Sequence, residues 1–350
     1  MTTPHPQRRP AAVLGSRFLA CAAAVTSIVV ASASPALATS TPTTHAPQSG
    51  TANVAYAGSL LTVNEQTVGP GFEHATGYSY TGRGAESLAI TQEIIAGTIQ
   101  PGVFESVGAA PIKPLIPKYT TWYASFAASP IVVAYNPSGP YAATFKAIAK
   151  GNEPITKLFP LMAKSGFRLG RTDPNTDPQG RAFVLMLTLA EQKLGVPVST
   201  VNSILGSDAV GASPQIYAET SLLAHLEAGQ LDAASAYRSQ AIQQHLPFVT
   251  LPASINLGSP SDASAYKKAT LTLANGMKVE GGALVLTITT IGGPGAPTGS
   301  DLQADQAFVA FVLSPQGRAL YQKNGYTLLP VKLTGSASSV PAVIKKELPH

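Results

Sequence analysis

The stretch that most constrains the fold is a short apolar strand, a turn of small residues and a serine at the start of a helix, Val54–Leu61. A second unit of this kind runs over Gly77–Ser87, where a strand and a glycine-containing loop lead to a helix that begins near Ser87. A third short strand is predicted over Gly102–Val107. Strand and helix that alternate in this way predict a parallel sheet, with the loops at the strand ends forming a crevice.

The rest of the chain predicts a second group of strands and helices. Pro130–Asn136 is an apolar, β-branched run that predicts a strand leaving the first group, and Phe248–Pro252 predicts the strand that returns to it. Between them, a strand over Gly166–Arg171 leads into the turn-rich loop Thr172–Gly180, which opens a long helix. The other predicted elements are a strand over Leu231–Ala236 and helices over Ala142–Ile148, after Ser221 and over Ala307–Tyr321.

Size and composition indicate a globular protein with a large core. The chain has 350 residues, of which 45% are hydrophobic and 12% charged, and this length is typical of two lobes or domains. The net charge of +5 comes from scattered lysines and arginines without interleaved aromatic residues, so nucleic-acid binding is not indicated. Cys21 is the single cysteine and lies in the N-terminal segment, so we expect neither a disulfide nor a cysteine-based metal site in the mature protein.

Residues 1–38 have the three parts of an export signal: a basic end, an apolar run over Phe18–Ala31 and a small-residue cleavage site at Ala36–Ala38. Residues 39–52 follow as a flexible tether, because they are rich in Ser, Thr and Pro. We therefore expect an exported protein that is periplasmic or associated with the cell surface. Lipid anchoring through Cys21 is the less favoured alternative, since the apolar run continues beyond it.

Sequence motifs for catalysis are missing. The sequence has no G-x-S-x-G nucleophile elbow and no H-x-x-x-H or H-E-x-x-H pair. The glycine-rich stretch Gly292–Gly295 contains a proline, which favours a loop over a phosphate cradle. We therefore expect a binding protein that is not an enzyme and needs no cofactor. An exported hydrolase and a surface protein without a ligand are the alternatives from other classes.

Four features in this order resemble the periplasmic molybdate- and tungstate-binding proteins of ABC importers, most closely the branch often found in archaea. They are the opening Ala57–Leu60, the helix-starting Ser87, the loop Asp173–Gly180, and the segment Ala236–Ser239 before a strand that ends in Leu-Pro. The resemblance covers about residues 53–335.

The resemblance implies a fold class and partners. The family has a two-lobed α/β fold, the type II periplasmic-binding-protein fold, with the ligand in the interlobe cleft and two crossover strands. Lobe I would comprise residues 53–130 and 252–345, and lobe II residues 131–251. The implied partners are a molybdate or tungstate ion and the permease of an ABC importer, with the binding protein itself a monomer.

The resemblance also implies the ligand contacts. By position, the oxyanion would be held by the hydroxyls of Ser59 and Ser87 from lobe I and of Tyr237 from lobe II. In the archaeal-like branch two carboxylates bind the metal directly, and the matching positions here are Asp177 and Glu219.

These residue types suit a metal oxyanion. Hydroxyls and helix-start amides can bind a tetrahedral dianion, whereas two carboxylates should repel it unless they coordinate the metal, which then becomes six-coordinate. Sulfate and phosphate do not expand their coordination in this way, so the same carboxylates would select against them. A binding protein for sulfate, phosphate or a small organic acid is therefore the alternative within the same class.

Each of these residues also has an ordinary structural explanation. A serine or an aspartate before a helix is often a cap, a glutamate in the first helical turn is stabilised by the helix dipole, and a tyrosine after a strand is often a core residue. Other candidates for the charged contacts are Asp173, Glu86 and Arg238.

Overall fold

A computed structural model describes residues 47–206 and 215–349. The predicted export signal over residues 1–38 and most of the predicted tether lie outside the described residues. Within the described ranges, no helix is both long and apolar enough to cross a membrane. The strands are β1 Thr51–Ala57, β2 Ser79–Ala85, β3 Val103–Val107, β4 Trp122–Ala128, β5 Ile131–Tyr135, β6 Leu169–Gly170, β7 Ala233–Tyr237, β8 Phe248–Thr250, β9 Thr270–Thr272, β10 Lys278–Glu280, β11 Val285–Thr290 and β12 Thr327–Gly335.

The helices alternate with these strands. The α-helices are α1 Leu61–Val63, α2 Gly69–Thr76, α3 Ser87–Ala96, α4 Ala142–Ala149, α5 Leu158–Met162, α6 Pro178–Leu194, α7 Val198–Leu205, α8 Glu219–Glu227, α9 Arg238–Gln243, α10 Ala263–Tyr266, α11 Gly299–Leu313, α12 Pro315–Lys323 and α13 Ala342–Lys345. Short 3₁₀ turns cover Gly58–Leu60, Lys113–Leu115, Ile155–Lys157, Pro260–Asp262 and Ala337–Ser339, and a π-helical turn covers Asn64–Val68.

Two main sheets organise the chain. The larger sheet has six strands in the order β12-β4-β11-β3-β1-β2, and the smaller has four in the order β6-β7-β5-β8. The chain passes from the larger to the smaller sheet through the two residues between β4 and β5, Ser129 and Pro130, and returns after β8. The strands predicted to leave and return, at Pro130–Asn136 and Phe248–Pro252, are thus confirmed as strands β5 and β8. The lobe boundaries predicted at these crossings stay predictions.

Both sheets are mixed, which corrects part of the prediction. Strand β1 pairs in parallel with β2 and β3, as the strand and helix alternation predicts. In contrast, β11 runs antiparallel to β3 and β4, β12 runs antiparallel to β4, and β5 runs antiparallel to β7 and β8. The βαβ rule applies to consecutive strands joined by helical crossovers, whereas β11 and β12 come from the last part of the chain and enter the sheet in the opposite direction.

Two further elements differ from expectation. The strand predicted over Gly166–Arg171 shrinks to Leu169–Gly170, because Gly166 adopts φ +78° and belongs to the preceding turn. The helical tail is confirmed as α11 and α12, but the sequence did not predict β12, which follows them. Most residues of that strand are exposed and Val331 alone is buried among its nine residues, so it lacks a continuous apolar signal.

The central strands β1 and β7 are buried at their carboxyl ends. In β1 the consecutive residues Val54–Ala57 are buried, and α11 packs against this strand. All five residues of β7 are buried as well, between α6 and α8. The turn after β1, which carries Ser59, and the end of β7, where Tyr237 is the last residue, are therefore held in fixed positions.

Candidate functional site

Ser59 and Ser87 occupy equivalent positions at the ends of two paired strands. Ala57 of β1 is in register with Ala85 of β2, and each serine lies two residues beyond its alanine. Both side chains are buried, and neither Oγ atom has a hydrogen-bond partner among the described residues. Neither hydroxyl caps its helix, so the capping explanation for Ser59 is wrong. A buried hydroxyl without a partner destabilises the folded protein, which indicates that these serines serve a purpose other than stability.

Asp177 divides its two carboxylate oxygens between two tasks. It is the N-cap of α6, and its Oδ1 accepts a hydrogen bond from the Gln179 backbone N–H at 2.5 Å. Its side chain is fully buried, and Oδ2 has no partner with hydrogen-bonding geometry in the described chain. The capping explanation is therefore correct for one oxygen and leaves the other available for a ligand.

Glu219 carries a second carboxylate to the Ser59 turn. It is the first residue of α8 and is 6% exposed, and its Oε2 also has no partner with hydrogen-bonding geometry within the described residues. A Cβ atom added to Gly58 would lie 2.8 Å from this oxygen, so the carboxylate packs directly on the glycine that precedes Ser59. Any larger residue at position 58 would displace it.

Tyr237 and Ser239 face Ser59 across a narrow gap. Both are buried at the beginning of α9, and the Tyr237 hydroxyl and the Ser239 Oγ have no partner in the part of the chain that the structure describes. The gap is lined by Ser59, Val107, Ser129, Tyr237, Ser239, Leu284, Leu286 and Tyr326. The Tyr326 hydroxyl donates to the Ser59 carbonyl at 3.3 Å, which fixes the turn from the side of the larger sheet.

The electrostatics of this region are those of two buried carboxyl groups that face each other. Burial raises the pKa of Glu219 well above its usual value, and the nearby Asp177 carboxylate raises it further. Burial also raises the pKa of Asp177, with a further contribution from Glu86. Burial and the two carboxylates together raise the pKa of the Tyr237 hydroxyl. When both are ionised and no ion is bound, the two carboxylates repel each other. A hard, high-valent metal centre accepts oxygen ligands of this kind from both.

The structure therefore brings four of the five predicted residues together. The contacts and electrostatic interactions described above link Ser59, Asp177, Glu219 and Tyr237. Ser87 is linked through its neighbours, since its strand pairs with β1 and the adjacent Glu86 acts on Asp177.

The other charged candidates have structural roles or are less buried. Asp173 is half-buried and its Oδ1 accepts two hydrogen bonds from Asn175, at 2.8 and 2.9 Å, within its own loop. Arg238 donates through Nη1 to the Gly325 carbonyl at 3.2 Å. Glu86 is half-buried at the start of α3 and remains near Asp177 without a contact that would replace Glu219.

Sequence reasoning missed several residues of this site. Ser239 had the same signal as Ser59, a serine just after the end of a strand. Thr172, whose hydroxyl is buried beside Asp177 and has no partner with hydrogen-bonding geometry among the described residues, directly follows a predicted strand. Gln179 and Gln240 are joined by a buried hydrogen bond of 2.8 Å between two helices. The spacing of Gln240 from Tyr237 is that of a capping box, but no local signal indicates that Gln240 meets Gln179.

Comparison with known proteins gives a family match over most of the chain. The sequence profile of the family described as bacterial extracellular solute-binding protein matches residues 52–327. A Haloferax volcanii protein with the provisional name ABC transporter molybdenum-binding protein is 39% identical over 169 residues, which are 47% of this chain. The chain spans half of that relative's length. The molybdate/tungstate-binding protein WtpA of Pyrococcus abyssi is 29% identical over 248 residues, 66% of this chain and 68% of the relative.

Solved structures share the fold. The periplasmic molybdate-binding protein of Azotobacter vinelandii has a TM-score of 0.52 at 16% identity and covers 80% of this chain and 100% of its own. The sulfate-binding protein SubI of Mycobacterium tuberculosis also has a TM-score of 0.52, at 12% identity, over 85% of this chain and 90% of its own. The predicted fold class, a two-lobed type II periplasmic-binding-protein fold, is thereby confirmed.

Proposed function

We propose that this chain, which belongs to the bacterial extracellular solute-binding proteins, captures molybdate or tungstate outside the cytoplasm for an ABC importer. In this proposal the hydroxyls of Ser59, Ser87 and Tyr237 bind the oxygens of the ion, and Asp177 and Glu219 coordinate its metal. The names of the Haloferax and Pyrococcus relatives support this choice of ligand.

One observation carries the proposal. All five predicted residues are buried, and each has a side-chain oxygen without a hydrogen-bond partner in the described part of the chain. Three are hydroxyls that can donate to an oxyanion, and two are carboxyl groups that, when ionised, can only accept or coordinate. This mixture is unfavourable for sulfate or phosphate, because the buried carboxylates repel their charge, and favourable for an oxyanion whose metal accepts two more oxygen ligands.

The remaining parts of the proposal follow from this role. The protein delivers its ion to the permease of an ABC importer and carries out no chemical turnover. It acts as a monomer in the periplasm or at the cell surface, after export directed by residues 1–38. The two sheets form the two lobes, with boundaries near residues 130 and 252, and the ion lies between them.

Thermal unfolding tests the ligand directly. We expect molybdate or tungstate at 100-fold its dissociation constant to stabilise the mature protein by about 2.7 kcal/mol, because the ion binds the folded state alone. For a chain of this size the melting temperature should rise on the order of 5 °C. Sulfate and phosphate at equal ionic strength serve as controls. A rise with sulfate or phosphate and none with molybdate or tungstate would contradict the proposal.

Replacement of Ser59 tests the turn after β1. Ser59→Ala should weaken molybdate binding by about 1.5–3 kcal/mol, since a charged acceptor loses one buried donor. Calorimetric titration measures the change, and Ser138→Ala, at an exposed position, is the matched control. Equal affinities of the two variants would show that the Ser59 hydroxyl does not contact the ion.

A further inference from the structure

We propose that Gln179 and Gln240 are a positioning pair, which fixes the Tyr237 side chain relative to the Asp177 carboxylate and thereby sets the affinity for the bound oxyanion. The inference rests on the proposed function, because it concerns the arrangement of two of its ligand groups. Neither glutamine is itself assigned a contact with the ion.

The pair connects two helix starts. The side-chain Nε2 of Gln179 in α6 donates to Oε1 of Gln240 in α9 at 2.8 Å. The same Oε1 accepts the backbone N–H of Tyr237 at 3.0 Å, and the backbone N–H of Gln179 binds the Asp177 carboxylate. Hydrogen bonds from the backbone and from the side chain of Gln179 therefore form a connection between the Asp177 carboxylate and the Tyr237 backbone N–H, by way of Gln240.

A further hydrogen bond holds the Gln179 side chain in this connection. Ser235, which lies two residues before Tyr237 in β7, donates through Oγ to Oε1 of Gln179 at 3.0 Å. Gln179 is 1% exposed, Gln240 5% and Ser235 fully buried, so water does not compete readily for these bonds. The amide orientations are fixed as well, because the Tyr237 N–H requires the oxygen of Gln240, and that oxygen in turn requires the Gln179 amide nitrogen.

The Gln240 Oε1 bond to the Tyr237 N–H is the capping-box bond of α9, and it is the Gln179 side chain that goes beyond what the two helices need. Asp177 already caps α6 with its own side chain, so the Gln179 side chain is not required for that helix. Its amide reaches the other helix start, where it binds the same oxygen that holds the Tyr237 N–H. Ligand groups are held to useful precision when the residues behind them are locked by packing and hydrogen bonds. We infer that the oxyanion affinity depends on Gln240 through Tyr237.

A double-mutant cycle on molybdate affinity tests this. Gln240→Met keeps the length of the side chain and removes the acceptor, and we expect it to weaken molybdate binding at least tenfold by calorimetry. In a Tyr237→Phe background the same change should weaken binding less than threefold, because the hydroxyl that it positions is gone. A purely structural glutamine would give the same factor in both backgrounds, and that result would overturn the proposal.

Control variants separate the possible failures. Gln179→Met removes the other side chain of the connection. It replaces Gln240→Met in the cycle if Gln240→Met does not fold, as judged by circular dichroism. Thr289→Val removes a buried hydroxyl that binds Thr120 in the larger sheet and should leave the affinity unchanged. If the wild type binds neither molybdate nor tungstate, the proposed function fails and this inference with it. If the wild type binds and the cycle is additive, only the positioning role is overturned.

Discussion

The double variant Asp177→Asn, Glu219→Gln is expected to bind molybdate and tungstate about 100-fold more weakly than the wild type, a loss of roughly 2.7 kcal/mol. The ratio of the molybdate affinity to the sulfate affinity should fall at the same time. Two carboxylate oxygens complete the coordination of the metal in the proposed complex, and amide oxygens are weaker ligands for a hard centre. The amides also remove the negative charge that repels sulfate.

The same substitutions should stabilise the protein without its ligand. Asp177 and Glu219 are buried carboxyl groups that act on each other, and each has an oxygen without a donor in the described chain. Removing such a conflict raises the melting temperature of the free protein, while the ligand-induced rise becomes smaller. A gain of stability together with a loss of affinity is expected where a binding site contains groups that destabilise the ligand-free protein.

Calorimetry and X-ray absorption check this prediction. Absorption spectra of the wild-type complex should show four short metal–oxygen bonds and a longer pair, and the variant should lose the longer pair. Glu280→Gln, at an exposed position, is the control for the loss of a carboxylate charge outside the site. Four equal short bonds in the wild type would mean that the ion stays tetrahedral and that neither carboxylate binds the metal.

The second large effect concerns pH. Glu105 in β3 is fully buried, and its carboxylate accepts hydrogen bonds from Tyr321 at 2.5 Å and from Asn64 at 3.0 Å. Burial nevertheless raises the pKa of Glu105 to about 7, since two neutral donors do not replace the hydration of the charge. We expect the unfolding free energy to fall as the pH rises from 4.5 to 7, by about 3 kcal/mol from this residue, and to stay level above that range.

The sign follows from proton binding. Between pH 4.5 and 7 the folded state holds a proton on Glu105 that the unfolded state has lost, so acidification favours the folded state. Asp305, whose pKa burial raises to about 7, adds to the slope in the same direction. Urea unfolding at pH 5 and pH 8 measures the slope for the wild type and for Glu105→Gln.

The glutamine variant isolates the contribution of Glu105. Its stability relative to the wild type should increase by about 2.5 kcal/mol from pH 5 to pH 8, because it has no proton to lose. Thr289→Val, which does not titrate, should show the same pH slope as the wild type. A constant difference between Glu105→Gln and the wild type at both pH values would mean that Glu105 ionises normally in the folded protein.

The sequence by itself determined the elements that local chemistry controls. The strand and turn around Ser59, the helix that begins at Ser87 and the loop before α6 all follow from apolar periodicity, small residues and turn formers. The resemblance based on these segments also gave the fold class and the five candidate site residues. Each of those residues lies just after a strand or at a helix start, where the sequence signal is strong.

The tertiary structure alone decided which of these segments meet. Glu219 packs on Gly58 from 161 positions along the chain, and β11 and β12 enter the larger sheet antiparallel from its far end. The Gln179–Gln240 bond and the burial of Glu105 likewise depend on how separate helices pack. Propensity and capping act over a few neighbouring residues, whereas burial and the pairing of carboxylates depend on distances in space, and those arise only when the whole chain has folded.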